Sequence, residues 1–173
     1  MDYLLEGVTS NRLLFRKLNP IDFDAWLPFH ENPLSTQFWE GKQAEPKIAC
    51  QLWLDKTFYR YKNKLGGMNA LIAIQTEALV GQCGLLVQNV DGIVELEIGY
   101  SILPHYWKNG YATEAATKCK QFAFENKLAT SLISIIHIDN IPSQKVAINN
   151  GMHIEKTTVY KDNPVHIFRV YAQ

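Results

Sequence analysis

Along this 173-residue chain the spacing of apolar residues switches repeatedly between helical and strand periods. Arg12-Leu13-Leu14-Phe15-Arg16-Lys17-Leu18 reads as a strand, ended by Asn19-Pro20. Phe23, Trp26, Leu27 and Phe29 carry helical spacing from Asp22 to Glu31, where Asn32-Pro33 stops it. A longer helix is predicted after Pro46, with Ile48, Leu52, Leu54, Phe58 and Tyr61 on its apolar face and Gly66-Gly67 closing it.

From residue 69 the rhythm shortens to β runs. Ala70 to Gln75 and Leu79 to Gln88 flank Thr76-Glu77 as a hairpin, although Gly81 and Gly84 weaken the second strand. Asp91-Gly92 is a turn signal, and Ile93 to Leu103 is the next strand. Gly110 to Asn126 is helical, with Ala112, Ala115, Ala116, Cys119, Phe122 and Ala123 as a stripe of mostly small apolar residues. Leu132 to Ile138 is an apolar, β-branched run of the kind buried on both faces. Asn140 to Asn150 is a helix with Asn140 as N-cap, Pro142 in its first turn and Gly151 past its end. Two strands, about 152–160 and 164–171, close the chain around Asp162-Asn163-Pro164. The order β-α-α-β-β-β-α-β-α-β-β predicts an α/β chain. Its strand-helix-strand from 93 to 138 implies a parallel, right-handed crossover within a mixed sheet.

Composition narrows the class. An apolar fraction of 47% supplies one packed core, and no repeat or linker divides residues 1–173, so a single domain is expected. Lys plus Arg and Asp plus Glu both total 17, which removes the general argument for a nucleic-acid surface. The N-terminal stretch Met1 to Glu6 carries two acids and no long apolar run, so no secretory signal is read there. No stretch approaches the roughly 20 apolar residues that span a bilayer. Cys50, Cys83 and Cys119 are widely spaced and form no CxxC, which points to reduced thiols in a cytoplasmic protein. His30, His105, His137, His153 and His166 show no metal spacing, so no metal is expected. His105 reads as an exposed loop residue.

The chemistry concentrates between Ile93 and Glu114. A strand ends near Pro104, an aromatic loop follows, and Trp107-Lys108-Asn109-Gly110-Tyr111-Ala112-Thr113 opens a helix. The first N–H groups of a helix lack internal partners and sit at the positive end of its dipole, so they bind anions where small side chains permit approach. Gly110 and Ala112 are small enough. A plain turn with Gly and Ala chosen for packing fits the same residues. No GK[ST] follows, and a lone Gly does not supply a dinucleotide fingerprint.

The run from Trp107 to Ala115 resembles the pyrophosphate loop of the GNAT acetyltransferases, written Q/R-x-x-G-x-G/A. Its Tyr-Trp-x-x-Gly-Tyr-Ala-Thr-Glu-Ala form is similar to the RimJ/RimL branch, which acetylates protein N-termini, other amines and some antibiotics. Asn140-Ile141-Pro142-Ser143 with Asn150-Gly151-Met152 resembles the family's second motif, and Thr9 to Arg16 resembles the branch's opening strand. The resemblance covers nearly the whole chain. It implies a GNAT fold, a twisted mixed sheet of about seven strands flanked by about four helices, and acetyl-CoA as cosubstrate without a metal. It also implies that the backbone from Lys108 to Thr113 holds the pyrophosphate, that Tyr100-Ser101-Ile102 pairs with the pantetheine amides, that Asn140 touches the pantetheine arm, and that Ser143 lies near the sulfur. Two positions depart from the family pattern. Trp107 replaces the commoner Gln or Arg, and Ala147 stands where many relatives carry the tyrosine that protonates the thiolate. The acid role then falls to Ser143 or to no side chain.

An amine is mostly ammonium at neutral pH and must lose a proton before it attacks a thioester. Glu95 and Glu97 alternate with Val94, Leu96 and Ile98, so both carboxylates share one face of a central strand. Two acids there are costly unless the face opens on a cleft, and Gly99 suits a bulge or a close ligand approach. Glu97 is the candidate base and Glu95 its alternative; solvated edge charges remain the bland reading. Ser143 also fits a local first-turn hydrogen bond, Asn140 a simple cap, and Glu114 a dipole partner. Phe29, Phe38, Trp39 and Trp53 are expected to wall the substrate cleft, or to be ordinary core. Cys119, on a packing stripe, makes a poor nucleophile.

The expected enzyme transfers acetyl from acetyl-CoA by direct attack of a primary amine, either a protein N-terminus or a small molecule such as a polyamine, an amino acid or an aminoglycoside. Backbone N–H groups of the central strand stabilise the oxyanion in this reading. A non-catalytic CoA-binding domain of the same fold is the alternative that Ala147 leaves open. A homodimer is the commonest arrangement for such domains.

Overall fold

The computed structural model describes residues 2–39 and 41–173; Met1, which heads the polar N-terminal stretch, and Glu40 lie outside the described residues. The chain forms β1 (Leu13–Lys17), a short 3-10 turn (Pro20–Asp22), α1 (Phe23–Glu31), α2 (Pro46–Lys62), β2 (Gly66–Ala73), β3 (Leu79–Val90) and β4 (Ile93–Ile102). A second 3-10 turn (Pro104–Tyr106) leads to α3 (Tyr111–Glu125), β5 (Ser131–His137), α4 (Ile141–Asn149), β6 (His153–Tyr160) and β7 (Asn163–Tyr171). The strands pair in the order β1-β2-β3-β4-β5-β7-β6, antiparallel except for β4 beside β5. This is the seven-stranded mixed sheet with four helices that the element order predicts.

Two details differ from the sequence reading. Gly66-Gly67 does not close the long helix, which ends at Lys62; both glycines start β2, four residues before the expected strand. A Cβ at Gly66 would sit 2.0 Å from the Leu85 carbonyl oxygen, so glycine there permits the close pairing of β2 with β3. The apolar face of α2 is also rotated. Cys50, Leu54 and Thr57 are its buried residues, while Ile48 and Leu52 are more than half exposed.

Each face of β1–β4 is covered by different helices. On one, Leu13, Phe15, Cys83, Leu85, Leu96 and Ile98 pack against Ala115, Ala116, Cys119 and Ala123 of α3. The small stripe lets α3 lie close to the sheet, and it places the sulfurs of the free thiols Cys83 and Cys119 3.5 Å apart. On the other face Trp26 and Phe29 of α1 and Cys50 and Leu54 of α2 meet Leu18, Met68, Ala70, Leu79 and Leu103. α4 covers the far strands through Ala147, against Ile136, Met152 and Phe168. Among the described residues no helix is long and apolar enough to cross a membrane.

The feature that positions a site is a wedge between the two parallel strands. β3 and β4 stay in register from Gly81↔Ile102 to Val90↔Ile93, yet β4 and β5 share a single paired position, Glu97↔Ile133. Beyond it, side chains replace the ladder. Ser134 donates its hydroxyl to the Ile98 carbonyl at 2.8 Å, and the Ile135 N–H turns to the Glu97 carboxylate.

Candidate functional site

The wedge opens into a cleft of about 410 Å³. Its floor is β4, from Glu97 through Gly99 to Tyr100 and Ser101. Its sides are Ser134 to His137 of β5 with Asn140 and Ser143 of α4, and Trp53 and Lys56 of α2 with Phe38 and Trp39. Tyr160, Lys161 and Asn163, around the β6–β7 turn, close one end. Trp39 and Trp53 stack with ring centroids 5.1 Å apart, and Phe38 stacks on His137 at 5.2 Å. Three of the four expected wall aromatics therefore line the cleft. Phe29 does not; it is buried behind them against Trp26.

Glu95 and Glu97 share a face, and the structure separates them. The Glu95 carboxylate is bound by Arg169, with Nη1 at 3.1 Å and Nη2 at 2.5 Å, and Arg169 also holds Glu155 and Ser131. Arg169 is buried, and Glu95 lies outside the cleft lining, so the alternative base is a structural ion-pair partner. Glu97 lines the cleft. Its carboxyl accepts Gln88 Nε2 at 2.6 Å and the Ile135 N–H. Burial pushes this carboxyl above the usual glutamate range; Gln88, the Ile135 N–H, Arg60 and Lys161 act against that push. A half-desolvated carboxylate with a raised pKa is the chemistry a general base for an ammonium needs. Gly99 lies in regular pairing and forms no bulge; a Cβ there would meet Leu86 Cδ1 at 2.8 Å and Met68 Sδ at 3.3 Å.

Along β4 alternate residues turn their backbone groups toward the wedge. The Ile98 carbonyl is taken by Ser134 and the Ile102 carbonyl by the Trp107 indole N–H at 2.8 Å. By the same period Tyr100 turns its N–H and C=O to that side, between the two. Its phenol crosses to α4 and donates to the Ser143 carbonyl at 2.7 Å, and burial raises the phenol far above the ordinary range, so it stays protonated. Asn140 caps α4 by accepting the Ser143 N–H at 3.2 Å while lining the cleft. The cap reading thus holds for Asn140. Glu97, Tyr100, Ser101, Asn140 and Ser143 come together in one cleft.

The cleft lining stops at Ser101, and residues 107–113 form an exposed to half-buried surface at the N-terminus of α3. Lys108 and Gly110 have φ of 62° and 79°, and α3 carries no side-chain N-cap, so its first N–H groups are open to an anion. The loop's carbonyls are held by side chains. Asn109 Nδ2 donates to the carbonyls of Tyr106 and Trp107, and Arg12 Nη1 donates to that of Asn109 at 3.0 Å. In a trans peptide the next N–H points the opposite way, so Lys108 and Gly110 direct theirs away from these side chains. Nothing local in the sequence marks Arg12, because its partners lie about a hundred positions away. Glu114 does more than face the dipole; it accepts the Ser10 hydroxyl, the Arg12 N–H and Arg12 Nε at 2.7, 2.7 and 2.6 Å.

Residues 12–153 match the acetyltransferase (GNAT) domain family. The chain is 33% identical to YkkB of Bacillus subtilis over 94 residues, which are 54% of this chain and 55% of YkkB, so it spans about half the length of that relative. The acetyltransferase from Agrobacterium tumefaciens str. C58 superposes with a TM-score of 0.82 over 99% of this chain and 98% of that one, at 22% identity. RimL, a ribosomal L7/L12 alpha-N-protein acetyltransferase solved in complex with coenzyme A, superposes with a TM-score of 0.74 over 97% of both chains, at 11% identity. These two likenesses are of fold.

Proposed function

The chain belongs to the GNAT acetyltransferase family, and we propose that it transfers acetyl from acetyl-CoA to a primary amine by direct attack, with Glu97 as the base. The observation that carries this reading is the placement of Glu97: a carboxylate with a raised pKa, at the floor of a cleft that also exposes Tyr100, Ser101, Asn140 and Ser143.

In this reading the N–H groups from Lys108 to Thr113 bind the pyrophosphate of acetyl-CoA, with Trp107 and Asn109 shaping the loop. The pantetheine arm adds to the free side of β4 at Tyr100, in the manner of an extra strand, and runs past Ser101, Ile102 and Asn140. Glu97 takes a proton from the ammonium, directly or through water, and the neutral amine attacks the thioester carbonyl. The C–N bond forms as the C–S bond breaks, and the CoA thiolate leaves with a proton. That proton is the second one lost by the nitrogen as the amide forms, and the Ser143 hydroxyl is proposed to relay it to the sulfur. Protein N-termini and small amines both fit a cleft with a carboxylate at its floor, and the similarity of fold to RimL supports the former.

The test joins calorimetric titration with acetyl-CoA to a thiol-release screen over N-terminal peptides, polyamines, amino acids and aminoglycosides. Binding, with turnover on one acceptor class that Glu97→Gln lowers by about a hundredfold or more, supports the proposal. Binding without turnover on any acceptor favours a non-catalytic CoA-binding domain instead.

A further inference from the structure

Glu97 is held by a chain of side chains that crosses the wedge. Tyr160, the last residue of β6, donates its hydroxyl to Gln88 Oε1 at 3.1 Å, and Gln88 Nε2 donates to Glu97 Oε2 at 2.6 Å. Gln88 belongs to β3, which β4, β5 and β7 separate from β6 in the sheet order. The two strands meet because the sheet folds at the wedge. Val90 and Ile133 pack with Val165 and Ile167, and Lys156 and Thr158 of β6 reach Asp91 at the β3–β4 turn at 2.8 and 3.2 Å.

A glutamine side chain presents a donor and an acceptor that exchange places when the amide flips. A phenol that donates to Oε1 leaves Nε2 for the carboxylate. The flipped amide would lose that bond and set Oε1 against the Glu97 oxygens. The ionised Glu97, which only accepts, fixes the orientation in which Gln88 Nε2 faces it, and Tyr160 satisfies the Oε1 that this orientation turns away. Other charged and titratable groups line the same cleft: Lys56 from α2, Lys161 after β6, His137 from β5 and Tyr100 from β4; Arg60 of α2, outside the lining, also acts on Glu97. Of the groups acting on Glu97, burial is the largest and Gln88 the next, in the opposite sense.

We propose that Gln88 is a positioning residue, braced at its Oε1 by Tyr160, which aims the Glu97 carboxylate into the cleft and favours its ionised form. The inference rests on Glu97 as the base, and it assigns part of that base's tuning to β6, the far edge of the sheet.

The experiment follows the Glu97 side-chain carboxyl by NMR in protein labelled with ¹³C-glutamate, without acetyl-CoA or acceptor. The Glu97 signal is identified by its loss in Glu97→Gln. Gln88→Met keeps the length of the side chain and removes the donor; the expected titration midpoint rises by about one pH unit. Tyr160→Phe removes only the hydroxyl that braces Gln88 Oε1 and is expected to raise it by about half as much. Melting curves establish that each variant is folded, and if Gln88→Met does not fold, Tyr160→Phe decides alone. A midpoint that stays put or falls in the folded variant overturns the proposal. Because the titration needs no turnover, it is independent of the base assignment, which fails separately if Glu97→Gln retains full acetyl transfer.

Discussion

Arg12 and Glu114, 102 positions apart, tie the first strand to the mouth of α3: the guanidinium Nε lies 2.6 Å from one carboxylate oxygen while the Arg12 N–H takes the other at 2.7 Å. The same guanidinium donates to the Asn109 carbonyl and lies over the Tyr111 ring, 4.4 Å from its centroid. One side chain thus holds the Asn109 peptide on one flank of Gly110 and the Tyr111 ring on the other.

From this geometry, Arg12→Ala is expected to weaken acetyl-CoA binding about five- to tenfold, a loss of roughly 1 kcal/mol, by releasing the loop from this conformation. Stability should change by less than about 1 kcal/mol, since the Arg12 side chain is exposed and Glu114 keeps the Ser10 hydroxyl and the Arg12 N–H as partners. Calorimetry and a thermal melt on one sample measure both. An unchanged acetyl-CoA affinity would show that the loop holds its shape without Arg12.

Arg169 gives the opposite balance. It is buried and binds Glu95, Glu155 and Ser131, and its removal leaves Glu95 without its countercharge. Arg169→Ala is expected to cost about 3 kcal/mol of stability, and Glu95→Gln in the same chain to recover part of that. Glu95→Gln alone should leave the turnover rate within a fewfold of the unaltered protein. Chemical denaturation of the three variants, with thiol release at saturating substrate, checks both statements.

These residues also mark where the sequence becomes hard to read. The β4–α3 unit is visible because local signals agree: Asp91-Gly92 turns the chain, alternation runs to Leu103, and Gly110 opens a stripe of small residues. Glu95 and Glu97 are equivalent in that local pattern, two residues apart on one face. Arg169, 74 positions on, distinguishes them by capturing one. Gln88, Tyr160 and Arg12 are ordinary polar residues until the wedge and the folded-over sheet give them partners. The rotated face of α2 has a similar cause, because Cys50 and Thr57 pack inward where periodicity favoured Ile48 and Leu52.

His30 provides a pH dependence of stability. It is buried among Trp26, Phe29, Trp39 and Trp53, with no hydrogen-bond partner for either ring nitrogen among the described residues, and burial holds its pKa down to about 4. In the unfolded chain the imidazole titrates near its ordinary value of about 6.5. Between these values the unfolded state binds a proton that the folded state refuses, so stability falls as pH drops from about 6.5 toward 4. By pH 5 the loss attributable to His30 is about 2 kcal/mol. His30→Phe should flatten this part of the profile, as read from denaturation midpoints at pH 8 and pH 5. Equal losses in both proteins would assign the acid sensitivity elsewhere.

Gly99 tests the floor of the cleft without touching its polar groups. Its backbone is ordinary strand, so alanine meets no conformational strain; the obstacle is space. The new Cβ would lie 2.8 Å from Leu86 Cδ1 and 3.3 Å from Met68 Sδ, both ends of flexible side chains that line the cleft. They can yield, at a cost of about 1 kcal/mol or somewhat more, and the open volume beside them is the cleft itself. Gly99→Ala should therefore fold and bind acetyl-CoA with near-native affinity, while the KM for the acceptor rises about five- to tenfold with kcat little changed. A fall in kcat at constant KM would instead place Gly99 at the reacting carbonyl, with the methyl group disturbing the attack on the thioester.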